Sequence, residues 1–157
     1  MPAAVLVAFL AAAAPIFARV SEGLFGLAPC ELCLWQRAPY WAAFGLAALA
    51  ALGWQRRALL GLAALAALAS AAIAAFHLGV EFRWWPSPLA GCQAPALGAA
   101  TTFEEMMAGL APTPSKPCDE PAFLIPGLPL SMAAMNLIYG TALAALALAA
   151  ARKEPTR

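Results

Sequence analysis

The chain has 157 residues, enough for at most one domain, and 64% of them are hydrophobic while only 11% are charged, with a mean hydropathy of +0.78. Soluble domains run at about 45–50% apolar and about 25% charged, so a water-soluble fold of this size cannot hide the apolar surface, and the composition places the chain in a membrane. A formal net charge of +1 gives no footprint for a nucleic-acid partner.

Residues 2–18 are almost uninterrupted Ala, Val, Leu, Phe and Ile, with Pro15 near the end. A spanning helix needs about 17–25 apolar residues, so a first span is expected here. The competing reading is a cleaved signal peptide, because Ala-rich sequence supplies A-x-A by default; no Lys or Arg precedes the apolar run, which argues against it. Polar residues return at Arg19, Ser21 and Glu22, and a first loop is expected over 19–38. It contains Pro29-Cys30-Glu31-Leu32-Cys33-Leu34-Trp35-Gln36-Arg37. Pro39 stands where a helix can start without needing its missing N–H, and a second span is expected over 39–54, with room to begin at Leu34 or Trp35. Gln55-Arg56-Arg57 interrupts the apolar sequence only briefly, which implies a tight helical hairpin into a third span over 58–77.

Residues 78–130 differ in kind. Prolines crowd between Pro112 and Pro126, and others stand at 86, 88, 95 and 129, so a long loop is expected. Inside it, Thr101 to Glu104 and Thr102 to Glu105 form overlapping capping-box patterns. Phe103, Met106, Met107 and Leu110 follow at helical spacing, which predicts a short amphipathic helix lying on the membrane surface. Ser131 or Asn136 opens a fourth span that ends near Ala151. The fold expected is therefore an all-α membrane protein, a bundle of four transmembrane helices joined by two loops on one side.

The 55–57 turn and the 152–157 tail hold five of the nine Lys and Arg, while the loops at 19–38 and 78–130 hold seven of the eight acids. The positive-inside rule then puts both termini and the 55–57 turn in the cytoplasm, with the two long loops facing outward. Trp35, Tyr40, Trp41, Trp84 and Trp85 suit an interfacial aromatic belt on the outer side.

All four cysteines fall in those outward loops: Cys30 and Cys33 in the first, Cys92 and Cys118 in the second. None lies in an apolar run. A zinc site built on four cysteines usually takes two short C-x2–4-C knuckles, and only Cys30/Cys33 has that spacing. Two inert structural disulfides are a further possibility, although so short a ring constrains the unfolded chain little. A redox-active pair explains the C-x-x-C spacing better. Arg37, one helical turn beyond Cys33, would favour a thiolate there, as would a helix N-terminus; the plainer reading of Arg37 is an interfacial arginine extending its charge to water.

The chain resembles the bacterial disulfide bond formation protein B (DsbB) family. The likeness rests on Cys30-x-x-Cys33 with Arg37 four residues later, on Trp84-Trp85-Pro86-Ser87-Pro88 leading to Cys92, and on Cys118 in the same loop, within four expected spans. The resemblance implies a periplasmic setting for both loops, in the bacterial inner membrane. It further implies a quinone-dependent enzyme that reoxidises a DsbA-like periplasmic dithiol protein. Cys92 and Cys118 would form the disulfide presented to the partner, with Cys92 the atom attacked. Cys118 would then exchange with Cys30, leaving Cys33 as the thiolate facing ubiquinone or menaquinone, with Arg37 stabilising it. Gln36 stands where some members have an acidic residue, so no proton role is carried over to it. His77 lies near the position of a histidine linked to quinone in relatives, and is otherwise a helix-end histidine. A quinone-linked enzyme resembling vitamin K epoxide reductase shares the chemistry but carries its C-x-x-C on a later helix. A non-enzymatic scaffold pinned by disulfides is the alternative of a different class.

Overall fold

The computed structural model describes residues 2–92, 116–125 and 127–155. Its elements are helices α1 (Pro2–Phe25), α2 (Glu31–Trp35), α3 (Ala38–Ala51) and α4 (Arg56–Glu81), a 3-10 turn (Ala90–Cys92), and α5 (Met132–Lys153). There is no β-strand among the described residues; one isolated antiparallel bridge joins Phe123 to Ser131. Three helices, α1, α4 and α5, are long and apolar enough to cross a membrane. At 14 residues, α3 rises only about 21 Å, short of a hydrocarbon core about 30 Å thick. The surface helix expected from Phe103 to Leu110 lies outside the described residues.

The helix ends differ from the sequence expectations for local reasons. Helix α1 continues past Ala18 to Phe25, because Arg19 and Glu22 pair one turn apart at 3.5 Å; it stops where Gly26 takes a left-handed φ of 63°. The loop expected over 19–38 is thus largely helical. Between α2 and α3 the helical ladder breaks at Gln36–Arg37, since Pro39 has no N–H to offer Trp35. The hairpin after α3 falls at Leu52–Gln55, with Gly53 at a φ of 99°, so Arg56 and Arg57 belong to the first turn of α4. That helix runs to Glu81, four residues beyond His77, and closes in a Schellman arrangement: Trp84 N–H donates to the Gly79 carbonyl (2.8 Å) and Arg83 N–H to that of Val80 (2.9 Å), with Arg83 in the left-handed region. Ser131 caps α5, its Oγ accepting from Ala134 N–H, and Arg152 and Lys153 sit in the last turn, where they complement the helix dipole.

Small side chains make the core. Ala4, Ala8 and Ala11 of α1, Ala43 and Ala47 of α3, Ala63 and Ala67 of α4, and Ala144 and Ala147 of α5 pack together. Large apolar side chains point outward, with Phe9, Leu65 and Ile138 at 69%, 62% and 60% exposure. This is the pattern of helices in lipid, where close packing of small residues replaces a hydrophobic drive between helices. Helix α4 makes its widest interface with α5, and α3 packs on both α4 and α1. Trp35, Trp41, Trp84 and Trp85 are exposed, whereas Tyr40 turns inward and is buried.

Candidate functional site

At one end of the bundle the two cysteine-bearing segments meet. Cys92 and Cys118 form a disulfide with Cα atoms 4.7 Å apart. Cys30 and Cys33 carry free thiols whose sulfurs lie 2.9 Å apart. Cys30 Sγ, Cys118 Sγ and a ring nitrogen of His77 all lie within 4.8 Å of one another. Two contacts hold this junction closed. Glu31, inside the C-x-x-C, accepts a hydrogen bond from Gly91 N–H at 2.9 Å, and a Cβ on Gly91 would collide with that carboxylate oxygen. Leu32, Val80 and Leu89 pack around the sulfurs. Those ligand types and distances would also suit a soft metal ion, but here the Cys118 sulfur is committed to the disulfide.

The two free thiols are not equivalent. Cys30 is the N-cap of α2, its sulfur accepting from Cys33 N–H at 3.3 Å. The Cys30 thiol donates to Cys33, and this hydrogen bond is the main cause that lowers the Cys33 pKa to about 4, against the opposing effect of burial; the nearby His77 adds to it. Cys30 is shifted the other way, upward, by the same bond and by burial. The proton therefore stays on Cys30 and the negative charge on Cys33. Arg37 is placed differently from the expectation of a direct thiolate partner: its guanidinium pairs with Glu22 at the top of α1.

Beside the thiols a cavity of about 410 Å³ opens between α1, α3 and α5, mostly apolar, with Glu22, Cys33, Gln36, Arg37, Tyr40, Asn136 and Tyr139 among its lining residues. His77 does not line it. It is buried behind Gln36, with Nδ1 2.9 Å from Gln36 Nε2, and Nε2 3.1 Å from the Cys118 carbonyl and 3.6 Å from Cys30 Sγ. Asn136 donates to Gln36 Oε1 (2.6 Å) and to Ser70 Oγ (3.2 Å), and Tyr40 donates to Asn136 Oδ1 (2.6 Å). Sequence reasoning missed Glu22, Ser70 and Asn136, and read Tyr40 only as an interfacial residue. The available signal was polarity inside apolar spans: a hydrogen-bonding side chain at membrane depth faces the bundle interior and marks function.

A helical membrane bundle that brings a free C-x-x-C pair against a disulfide, beside an apolar cavity, defines the thiol–disulfide centre of a membrane protein. The chain belongs to the disulfide bond formation protein DsbB family, whose model matches residues 2–150. The protein is accordingly a membrane protein of disulfide-bond formation, in a family of disulfide oxidoreductases. No curated protein and no solved structure matches the chain.

Proposed function

We propose that the protein is a thiol oxidase that reoxidises a DsbA-like periplasmic dithiol protein and passes two electrons to a membrane quinone. The observation that carries this reading is the approach of Cys118 Sγ and Cys30 Sγ to within 4.8 Å, so that one disulfide can exchange with the other without the chain refolding. A thiolate of the partner attacks Cys92, the Cys92–Cys118 bond breaks, and Cys118 leaves as a thiolate. Cys118 attacks Cys30 of an oxidised Cys30–Cys33 pair, and Cys33 leaves as the thiolate its low pKa favours. The partner's second thiol then closes its own disulfide and frees Cys92, which recovers Cys118 and releases Cys30. The net result is one partner disulfide made and one dithiol left at Cys30 and Cys33.

The cavity suits a quinone headgroup: its volume is in the range of about 300–1,000 Å³ usual for small-molecule sites, its walls are apolar, and Cys33 and Arg37 lie at its edge. Cys33, Arg37 and Tyr40 would hold the ring; His77 reaches this wall only through Gln36. A quinone bound there supplies the acceptor of two electrons and two protons whose reduction returns Cys30 and Cys33 to the disulfide. A DsbA-like partner is strongly oxidising, at about −120 mV, and about 30 mV is worth ~1.4 kcal/mol for a two-electron couple, so a respiratory acceptor is what keeps such a partner oxidised.

In this reading α3, extended back through the Gln36–Arg37 turn to Leu34 or Trp35, makes the second of four spans. Both termini lie in the cytoplasm, and the cysteines face the periplasm across the bacterial inner membrane. The test is a trapped junction. In a Cys33→Ala/Cys92→Ala protein, mild oxidation should link Cys30 to Cys118 quantitatively, as read by mass spectrometry of the intact chain; two persistent free thiols would contradict the relay.

A further inference from the structure

We propose that Ser70, Asn136 and Gln36 are positioning residues that hold His77 with its proton on Nε2, aimed at the junction between the two cysteine pairs. Pro39 sets the direction of the hydrogen bonds here. Lacking an N–H, Pro39 leaves the ladder of α3 incomplete, and the Tyr40 amide turns to the Arg37 carbonyl. The Gln36 carbonyl, deprived of both, takes its hydrogen bond from Ser70 Oγ at 2.8 Å. Ser70 is fully buried, and its single proton is spent, so towards Asn136 it can only accept. Asn136 must then turn its Nδ2 to Ser70, which leaves Oδ1 for the Tyr40 hydroxyl. The same Nδ2 meets Gln36 and fixes Oε1 as the Gln36 atom on that side. Gln36 Nε2 therefore donates to His77 Nδ1, and the imidazole proton lies on Nε2. Reversing either amide would leave two donors or two acceptors face to face against the buried Gln36, Ser70 and His77, which is expensive.

The Nε2–H so fixed points at the Cys118 carbonyl and Cys30 Sγ, with Glu81 Oε1 at 4.0 Å beyond. It pins the Cys118 backbone against Cys30. It also offers a donor to Cys30 at the moment Cys92 recovers Cys118 and the bonding pair of the Cys30–Cys118 bond stays on Cys30. No electron leaves the cysteines in that step; the negative charge moves from Cys92 to Cys30.

This use of the proton rests on the thiol-oxidase reading, but the tautomer does not. His77 is the single histidine of the chain, so ¹⁵N-histidine labelling of the full-length protein in lipid nanodiscs reports it alone. The wild-type spectrum should show the Nε2–H form. Asn136→Asp, which does not touch His77, forces Gln36 to turn its amide and present Oε1 to Nδ1. Gln36→Glu presents an acceptor there directly. Both should move the proton to Nδ1, and should slow turnover roughly tenfold, the scale of one charge-assisted hydrogen bond, at unchanged KM for the dithiol partner. A wild-type protein in the Nδ1–H or doubly protonated form, or either folded variant that keeps the Nε2–H form, would overturn the inference. A wild-type protein with the Nε2–H form and no thiol oxidation would instead sink the oxidase reading and leave the tautomer standing.

Discussion

Cys30 and Cys33 divide one proton unequally, and the division follows from α2 being a single short turn capped by Cys30 itself. With its pKa lowered to about 4 from an ordinary 9.0, Cys33 is a thiolate at neutral pH. Its contribution to the stability of the reduced fold is complete above the ordinary thiol range and is lost as pH falls through about 4. Alkylation of the reduced protein at about pH 6 should label Cys33 and spare Cys30, because only the thiolate is nucleophilic; equal labelling of both sites in peptide mapping would contradict the assignment. The spacing of Cys33 and Arg37 made a thiolate legible in the sequence, but it assumed a continuous helix. Pro39 breaks that helix, and Arg37 turns to Glu22, so the thiolate's main support comes from Cys30 instead. The Arg37–Glu22 pair then belongs to the cavity wall. Removing the guanidinium in Arg37→Ala deletes an interaction worth about 1.5–3 kcal/mol when charge-assisted. The quinone KM should rise on the order of tenfold, or kcat fall, while Cys33 still alkylates at the same pH; an unaltered KM and kcat would remove Arg37 from the site.

Among the helices, the crossing of α4 with α5 sets the positions of His77 and Asn136. Gly140 is what lets them approach: a Cβ there would meet the Tyr40 hydroxyl at 3.1 Å, Ala71 Cβ at 3.2 Å and the Ala67 carbonyl at 3.3 Å. Gly140→Leu should therefore lower the Tm by overpacking worth about 1–3 kcal/mol and should slow turnover with it, since Asn136 lies one turn away on the same face. Thermal unfolding in detergent checks this, and an unchanged Tm would mean the crossing is looser than described. The apolar runs located α1, α4 and α5 in the sequence, but hydropathy ended each at its first charged or polar residues. Helix geometry continues for as long as backbone groups find partners. Arg19 with Glu22, and the Schellman closure at Arg83, extend α1 and α4 by more than a turn, and it is this extension that carries Glu22 to Arg37 and Glu81 to His77.

For the molecule as a whole, the gathering of all four cysteines outside the apolar runs is what made a redox centre readable before any geometry. The hydrogen-bonded chain from Tyr40 to His77 was not readable, because it joins residues from three helices and depends on a carbonyl orphaned by one proline. The proposed orientation is checked by thiol labelling from outside intact cells after reduction: an impermeant reagent should reach the four cysteines, while cysteines introduced at Gln55 or Pro155 should stay protected, and the reverse pattern would invert the topology. The proposed transfer of a protein's thiol electrons to a membrane quinone is tested most directly by stoichiometric turnover. With purified protein, a reduced DsbA-like dithiol protein, and ubiquinone or menaquinone, one quinone should be reduced for each partner disulfide formed, and Cys33→Ala should abolish both. Partner oxidation without quinone reduction, or normal turnover in Cys33→Ala, would contradict the account.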